Sequence, residues 1–282
     1  MQTREARVTV EVPMERESGK RTAAARVLAV LGAFSQGGGA LTLTEISRYA
    51  DLPLATAHRL AREVLNWGGI ELDDDGRYRL SRKMLDLASC STRALRLRES
   101  ALPHLSDLHR LTGLTVHLGV RDGDDVMYLE ALRPHTNYSG ENRMGGRMRL
   151  HVTATGLILL AYADPAFVDD YLSRPLKRYT PHTLADPDAV RAALETVRRQ
   201  RHATVSQTIS LGAGAVAAPV FGEDGTVETV VGMVYLIGRD DPAKLVDPVR
   251  ATATRIAHAM LERRTRPHPR TIDFNRRSAG II

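Results

Sequence analysis

Cysteine is almost missing from this chain of 282 residues, where Cys90 stands alone. A single thiol excludes an internal disulfide and any zinc site built from cysteines, and it suits a reducing compartment, so a cytoplasmic protein is expected. Lysine is scarce too, 4 residues against 35 arginines, a bias that codon usage alone can produce and that excludes no function. Long apolar runs are absent. The densest, 157–163, is far short of the ~20 residues that span a bilayer, and charges interrupt the first twenty residues every few positions, so neither a membrane partner nor a signal peptide is expected. No Gly-x-Ser-x-Gly elbow, phosphate-binding loop or His-Glu-x-x-His helix occurs. His104 and His109 are spaced poorly for one helical face, while His117 and His151 sit among apolar neighbours and read as hydrogen-bonded core histidines. An enzyme is not expected, nor is a metal or a cofactor.

What is present is ordinary globular composition, 43% hydrophobic and 26% charged, in a chain too long for one small module, so two domains are expected. The net charge of +6 is unevenly placed. Residues 1–80 carry 11 basic and 11 acidic side chains, whereas 263–282 carry 6 basic side chains against Asp273. Global basicity is therefore mostly a property of this Pro/Arg-rich tail, which lacks apolar periodicity and reads as disordered, as does the arm 1–21.

Between them the pattern is regular. Val27, Val30, Leu31 and Phe34 make one stripe of an amphipathic helix over 22–35, which Gly37 to Gly39 end. Thr42 and Glu45 have capping-box spacing, with Leu41 and Ile46 as a hydrophobic staple, so a helix starts at Leu43 and runs to about Ala50. Asp51-Leu52-Pro53 separates it from a second helix reaching about Trp67. Two helices joined by so short a turn have helix-turn-helix geometry. Ala57, Leu60, Ala61 and Val64 form the inner stripe of the second, leaving Ala55, Thr56, His58, Arg59 and Arg62 outside. Arg59 can make a bidentate contact to guanine, and Thr56 and His58 can reach base or phosphate oxygens.

Ile70 to Leu72 and Arg77 to Leu80 alternate around an Asp-Gly turn and predict a hairpin. Tyr78 and Leu80 can face the helices while Arg77 and Arg79 point outward, as a wing would present cations to phosphates. Residues 81–112 read as a helical linker that offers a dimer surface, broken or kinked at Pro103. From Leu114 the period becomes two. Strands are expected at 114–120, 126–132, 203–208, 215–221 and 227–237, with helices at 153–163, after Pro165, at 187–200 and at 242–263, and a Gly-rich loop carrying Gly140, Gly145 and Gly146. The fold class expected is α+β in two domains: a winged helix-turn-helix over 22–80, the linker 81–112, and an antiparallel-sheet sensor domain, GAF/PAS-like, over 113–262.

The run RVLAVLGAF followed by LTLTEISRYADLPLATAHRLAREVLNWGGIELDDDGRYRLSRKMLDLA resembles the DNA-binding domain of the IclR family of bacterial transcriptional regulators. TVHLGVRDGDDVMYLEAL, LHVTATGLILLAY, RYTPHTLADPDAVRAALETVRRQ and VAAPVFGEDGTVETVVGMVYLIG resemble its effector-binding domain, so the resemblance covers about 22–262 in the same motif order. It implies a repressor or activator, a homodimer or dimer of dimers, reading a pseudo-palindromic double-stranded DNA operator under control of a small organic acid or related metabolite. The resemblance implies DNA contacts at Arg26, Thr56, Arg59, Arg77 and Tyr78, with Ala55 standing where a serine is usual; Thr44, with His58 and Arg62 of the outer helix face, completes the candidate set.

The effector residues implied are Thr155, Gly156, Leu157, Val205, Gln207, Ala215, Met233, Tyr235 and Ile237. Here the chain departs from the family. Leu157 replaces the lysine of Thr-Ala-x-Gly-Lys, Ala215 a frequent cysteine, and Tyr235 and Ile237 two small serines; Arg201 replaces a glycine, and the acidic residue usual within 205–208 is missing. Backbone N–H groups near Gly156 remain a physical site for an anion. The ligand is then larger or more apolar than a two- or three-carbon keto acid, or else Met233, Tyr235 and Ile237 are core and the pocket is plugged. The other reading of the residues is a ligand-binding or protein-interaction module whose winged helix no longer reads DNA, which the near-neutral first 80 residues favour.

Overall fold

The structure is a computed structural model that describes residues 21–36, 39–90, 92–134 and 143–265. The expected N-terminal arm, Gly140 and most of the basic tail lie outside the described residues. The chain divides into two compact units at Leu85/Asp86.

In the first unit α1 (Ala23–Ala33) is followed by β1 (Ala40–Leu41), α2 (Leu43–Ala50), α3 (Leu54–Trp67), β2 (Ile70–Leu72) and β3 (Tyr78–Leu80). The helix ends are set locally. The Thr22 hydroxyl caps α1. Thr42 and Glu45 close a full capping box on α2, each side chain accepting from the other's backbone N–H. At the other end Asp51 takes φ 52°, so that Asp51 N–H reaches the Arg48 carbonyl and Leu52 N–H the Ser47 carbonyl. This left-handed residue turns the chain into α3. Val30, Ile46, Ala57, Leu60, Ala61, Val64 and Ile70 fill one core between the three helices and the sheet, whose order is β1-β3-β2.

α4 (Arg82–Ser89) and α5 (Thr92–Thr112) follow. The helix is interrupted at Cys90, and α5 runs through Pro103, where the break or kink was expected. Proline removes one donor there, but Ala101, Leu105 and Leu108 anchor the helix on both sides of it by burial.

The second unit continues with β4 (Thr115–Asp122), β5 (Asp125–Leu132), β6 (Arg147–Arg149), a 3-10 turn over Leu150–Val152, α6 (Ala154–Ala161), α7 (Pro165–Ser173), α8 (Pro187–Gln200), β7 (Ala203–Ser206), β8 (Ala213–Phe221), β9 (Val227–Leu236) and α9 (Pro242–Thr265). The six strands make one antiparallel sheet in the order β6-β5-β4-β9-β8-β7. One face packs against α6, α7 and α8 around Leu157, Leu160 and Leu194. The other packs against α5 and α9 around Leu105, Leu118 and Ile256. All eight residues of α6 are buried, as a helix apolar on every side apart from Thr155 requires.

Candidate DNA interface and effector face

The outer face of α3 is what the helical period dictates. Ala57, Leu60, Ala61 and Val64 are buried, while Ala55, His58, Arg59 and Arg62 are exposed and Thr56 is half-buried. Among the described residues, His58, Arg59 and Arg62 take part in no ion pair or hydrogen bond. Two guanidinium groups and an imidazole thus face water, available to a phosphate or a base edge. Thr44, on α2, is exposed as well.

The wing differs from its expected form. Tyr78 is 8% exposed and faces the core as its alternation predicts, so it cannot make the DNA contact the resemblance implies, whereas Leu80 is 43% exposed and does not cover the helices. Arg77 is not a free cation: its Nη2 donates to Glu45 Oε2 at 3.0 Å and to the Ala40 carbonyl at 3.1 Å. Arg79 donates to Asp73 Oδ2 at 2.8 Å. The Thr42 backbone N–H and hydroxyl, with Arg77 adding to them, hold Glu45 below the usual carboxylate range, and the Arg77 backbone N–H does the same for Asp73, helped by Arg79. The two wing arginines are thus spent on Glu45 at the start of α2 and on Asp73 of the hairpin. Arg26 donates from Nε to the Arg21 carbonyl at 3.0 Å.

The second candidate site lies on the sheet face beneath α6. Strand register decides which residues share it, because side chains alternate with a period of two. Val205 pairs with Ala215, Ala215 with Val234, and Val234 with Thr115. The next row on the same face is Ala203, Ala217, Gly232, His117 and Ala131. A Cβ on Gly232 would meet the Thr155 methyl at 2.5 Å, which puts α6 directly over this row. Thr155, Val205 and Ala215 therefore belong together, while Leu157, two residues further along α6, is buried in the same core cluster.

Met233 and Tyr235 do not join them. Both belong to the opposite face, in the core against α5 and α9, where Tyr235 lies over Gly214 and its hydroxyl donates to the Val205 carbonyl at 3.3 Å. Ile237 follows the end of β9 and is 41% exposed. The residues of β9 on the α6 face are Val230, Gly232 and Val234, and a shift of one residue exchanges the faces. Gln207 sits at φ 58° in the turn after β7, where its Oε1 accepts from Gly212 N–H at 3.3 Å. The anion site expected at Gly156 is closed: its N–H donates to Thr153 Oγ1 at 2.8 Å, and a Cβ there would strike the Leu150 carbonyl.

The two buried histidines differ. His151 is satisfied at both nitrogens, Nδ1 with the Tyr171 hydroxyl at 2.7 Å and Nε2 with the Lys177 carbonyl at 3.0 Å. Burial lowers its pKa and pushes that of Tyr171 up to about 12. His117 stacks on Tyr128, ring centroids 4.4 Å apart, and its Nε2 is buried without a partner. Burial, aided by the charge of Arg133, pushes its pKa down to about 4. Sequence reading placed His117 in the core and missed its unmatched nitrogen; the row of Ala and Gly around it becomes visible only once the strands are paired. Among the described residues no cluster of three metal-ligating side chains occurs and no helix is long and apolar enough to cross a membrane.

Residues 23–74 match the family profile described as IclR helix-turn-helix domain. Residues 90–258 match bacterial transcriptional regulator IclR C-terminal. The HTH-type transcriptional regulator XynR of Escherichia coli (strain K12) is 30% identical over 224 residues, 79% of this chain and 89% of that protein. The Pca regulon regulatory protein of Pseudomonas putida is 30% identical over 221 residues, 77% of this chain and 75% of that protein. A crystal structure of an IclR homolog from Microbacterium hydrocarbonoxydans, complexed with 4-hydroxybenzoate, superimposes with a TM-score of 0.78 at 33% identity, covering 86% of this chain and all of that one.

Proposed function

The chain belongs to the IclR family of bacterial transcriptional regulators, and from that premise we propose that it works in the cytoplasm as a homodimer or dimer of dimers on a pseudo-palindromic operator. Regions 22–80, 81–112 and 113–262 serve as DNA reader, linker with dimer surface, and effector sensor. The observation that carries the reading is the outer face of α3, where His58, Arg59 and Arg62 are exposed and unpaired on a helix whose other face is fully packed. Two such helices, one from each subunit, would enter successive major grooves about one helical turn apart. Because Arg77 is engaged by Glu45 of α2 and Arg79 by Asp73 of the wing, most of the sequence reading falls to α3. Thr44, Ala55 and Thr56 complete the contact set, with Arg26 beside the DNA backbone.

For the sensor we propose Thr155, Leu157, Val205, Ala215, Gly232 and Val234 as the effector face. Its apolar character suits a ligand larger than a small keto acid, such as an aromatic acid of the size found in the Microbacterium hydrocarbonoxydans homolog. The ligand acts by binding two arrangements of the dimer with different affinity, which is all that modulation requires.

The test is fluorescence-anisotropy binding to duplexes selected from random DNA, with Arg59→Ala as the control. Tight sequence-dependent binding is expected, with Arg59→Ala losing about 1–3 kcal/mol of discrimination between operator and mismatched sites. Operator preference unchanged in Arg59→Ala would refute the assignment of α3 as the reader.

A further inference from the structure

The sheet of the second unit parts at one end. β4 and β9 are paired from Thr115 and Val234 as far as Gly119 and Val230, although β4 runs on to Asp122 and β9 starts back at Val227. A cleft of about 610 Å³ occupies the parting, within the range of roughly 300–1,000 Å³ that small-molecule sites have. It lies away from the row of Gly232 and His117. α6 covers that row with Thr155, near its start, and lines the cleft with Leu159 and Tyr162, at its end.

The walls are apolar. Val120 and Met127, paired across β4 and β5, meet Leu159 and Tyr162 from α6 and Ala94 and Leu97 from α5. Leu97 and Leu159 are buried and the other four are half-buried, so apolar surface stays open to water that a hydrocarbon would displace. α5 and α6 pack on opposite faces of the sheet, and a cleft lined by both passes through the layer. That depth suits a flexible chain better than a flat ring.

Arg93 and Arg121 also line the cleft, both of them exposed. Among the described residues neither guanidinium enters a hydrogen bond or an ion pair. That of Arg121 rests over the Phe167 ring, 4.2 Å from its centroid, a stacking that leaves its N–H edge free to donate. The two carboxylates of the lining are already engaged: Asp164 Oδ1 accepts from Ala166 N–H as the cap of α7, and Glu228 has a partner of its own. The unspent charge of the cleft is therefore positive, and it calls for an anion.

We propose that this cleft is a second ligand site, separate from the effector face, and that it takes a linear carboxylate of medium chain length. The hydrocarbon lies between α5 and α6, and the carboxylate meets Arg93 and Arg121. Because Ala94 and Leu97 belong to the first turns of α5, the occupant holds that helix to the sheet.

The probe is octanoate, titrated calorimetrically into the full chain beside butanoate and octanol, with the 13C-methyl resonance of Met127 followed in the same samples. Each buried methylene is worth a factor of about four, so octanoate should bind about a hundredfold or more tighter than butanoate. It should move the Met127 methyl and raise hydrogen-exchange protection at the start of α5. Arg93→Gln and Arg121→Gln should each weaken octanoate about two- to fivefold, the scale of an exposed ion pair, and leave octanol unchanged. Ala94→Trp, which fills the cleft from α5, should abolish binding of both. If Ala94→Trp fails to fold, the two arginine variants and the Met127 shift decide instead. Equal affinity for octanoate and butanoate, or octanoate bound with Met127 unmoved, overturns the site. Binding indifferent to both arginines overturns the carboxylate. A Met127 resonance that ignores octanoate and follows protein concentration gives the cleft to a second copy of the chain and overturns the ligand.

Discussion

The outer face of α3 and the sheet face beneath α6 both carry groups with unfilled hydrogen-bonding capacity, in opposite surroundings. Arg59 and Arg62 are unpaired in water, which solvates them at no cost to folding. His117 Nε2 is unpaired in a dry interior, where the same condition costs about 1–3 kcal/mol. An exposed vacancy is common and gains meaning only from its neighbours, here a packed helix in a helix-turn-helix. A buried vacancy is rarer: among the described residues Arg98 Nε, on α5, shares it, although that guanidinium is held through Nη2 by Glu130. The wing teaches the complement: Arg77 and Arg79 look like α3's cations in sequence, yet Glu45 and Asp73 already hold them.

The largest expected effect tests whether the α3 face depends on the core behind it. Ile46 is fully buried, so Ile46→Ala should cost about 2–5 kcal/mol. Hydrogen-exchange protection across α2 and α3 should fall accordingly, and unchanged protection would mean that the face is held by its caps alone.

Acid should separate the two regions next. The pKa of His117 is lowered from 6.5 to about 4 in the folded chain, so its contribution is fully present above pH 6.5 and is lost as pH falls towards 4, where the unfolded chain takes up a proton that the folded one refuses. The loss is on the order of 3 kcal/mol, and His117→Leu should flatten it in urea titrations of the second unit. In the first unit the depressed carboxylates Glu45 and Asp73 respond only at lower pH, their contribution being lost as pH falls below 4.5 and 3.8. An identical acid response in both units would break the contrast.

The smallest effect distinguishes a free cation from an engaged one. Arg62→Ala should reduce the salt slope of DNA binding by about 1, while Arg77→Ala should leave it nearly unchanged. Equal slopes for the two variants would show that the ion pair of Arg77 with Glu45 opens on DNA.

Much of this was legible in the sequence. The capping box at Thr42 and Glu45 and the inner stripe of α3 fall where spacing puts them, because a helix carries its own period and its own end signals. The hairpin at 70–80 and five of the six strands of the second unit are legible from their period of two, whereas the three-residue edge strand β6 is too short to show one. Three features were not. The helix broke at Cys90 rather than at Pro103, since burial of α5 outweighs one missing donor. The wing arginines were taken up by carboxylates that the hairpin and the start of α2 bring beside them. Met233 and Tyr235 proved to lie on the face away from α6, because alternation says that neighbours oppose each other without saying which of them faces which layer.

By itself, then, the sequence determined the local elements, the two-domain order and the exposed cations of α3, all of which follow from periods and caps within a few residues. Only the tertiary structure decided the pairing of β4 with β9. That pairing sets His117 beside Gly232 and leaves its Nε2 unmatched, because strand register is fixed by contacts between residues more than a hundred positions apart.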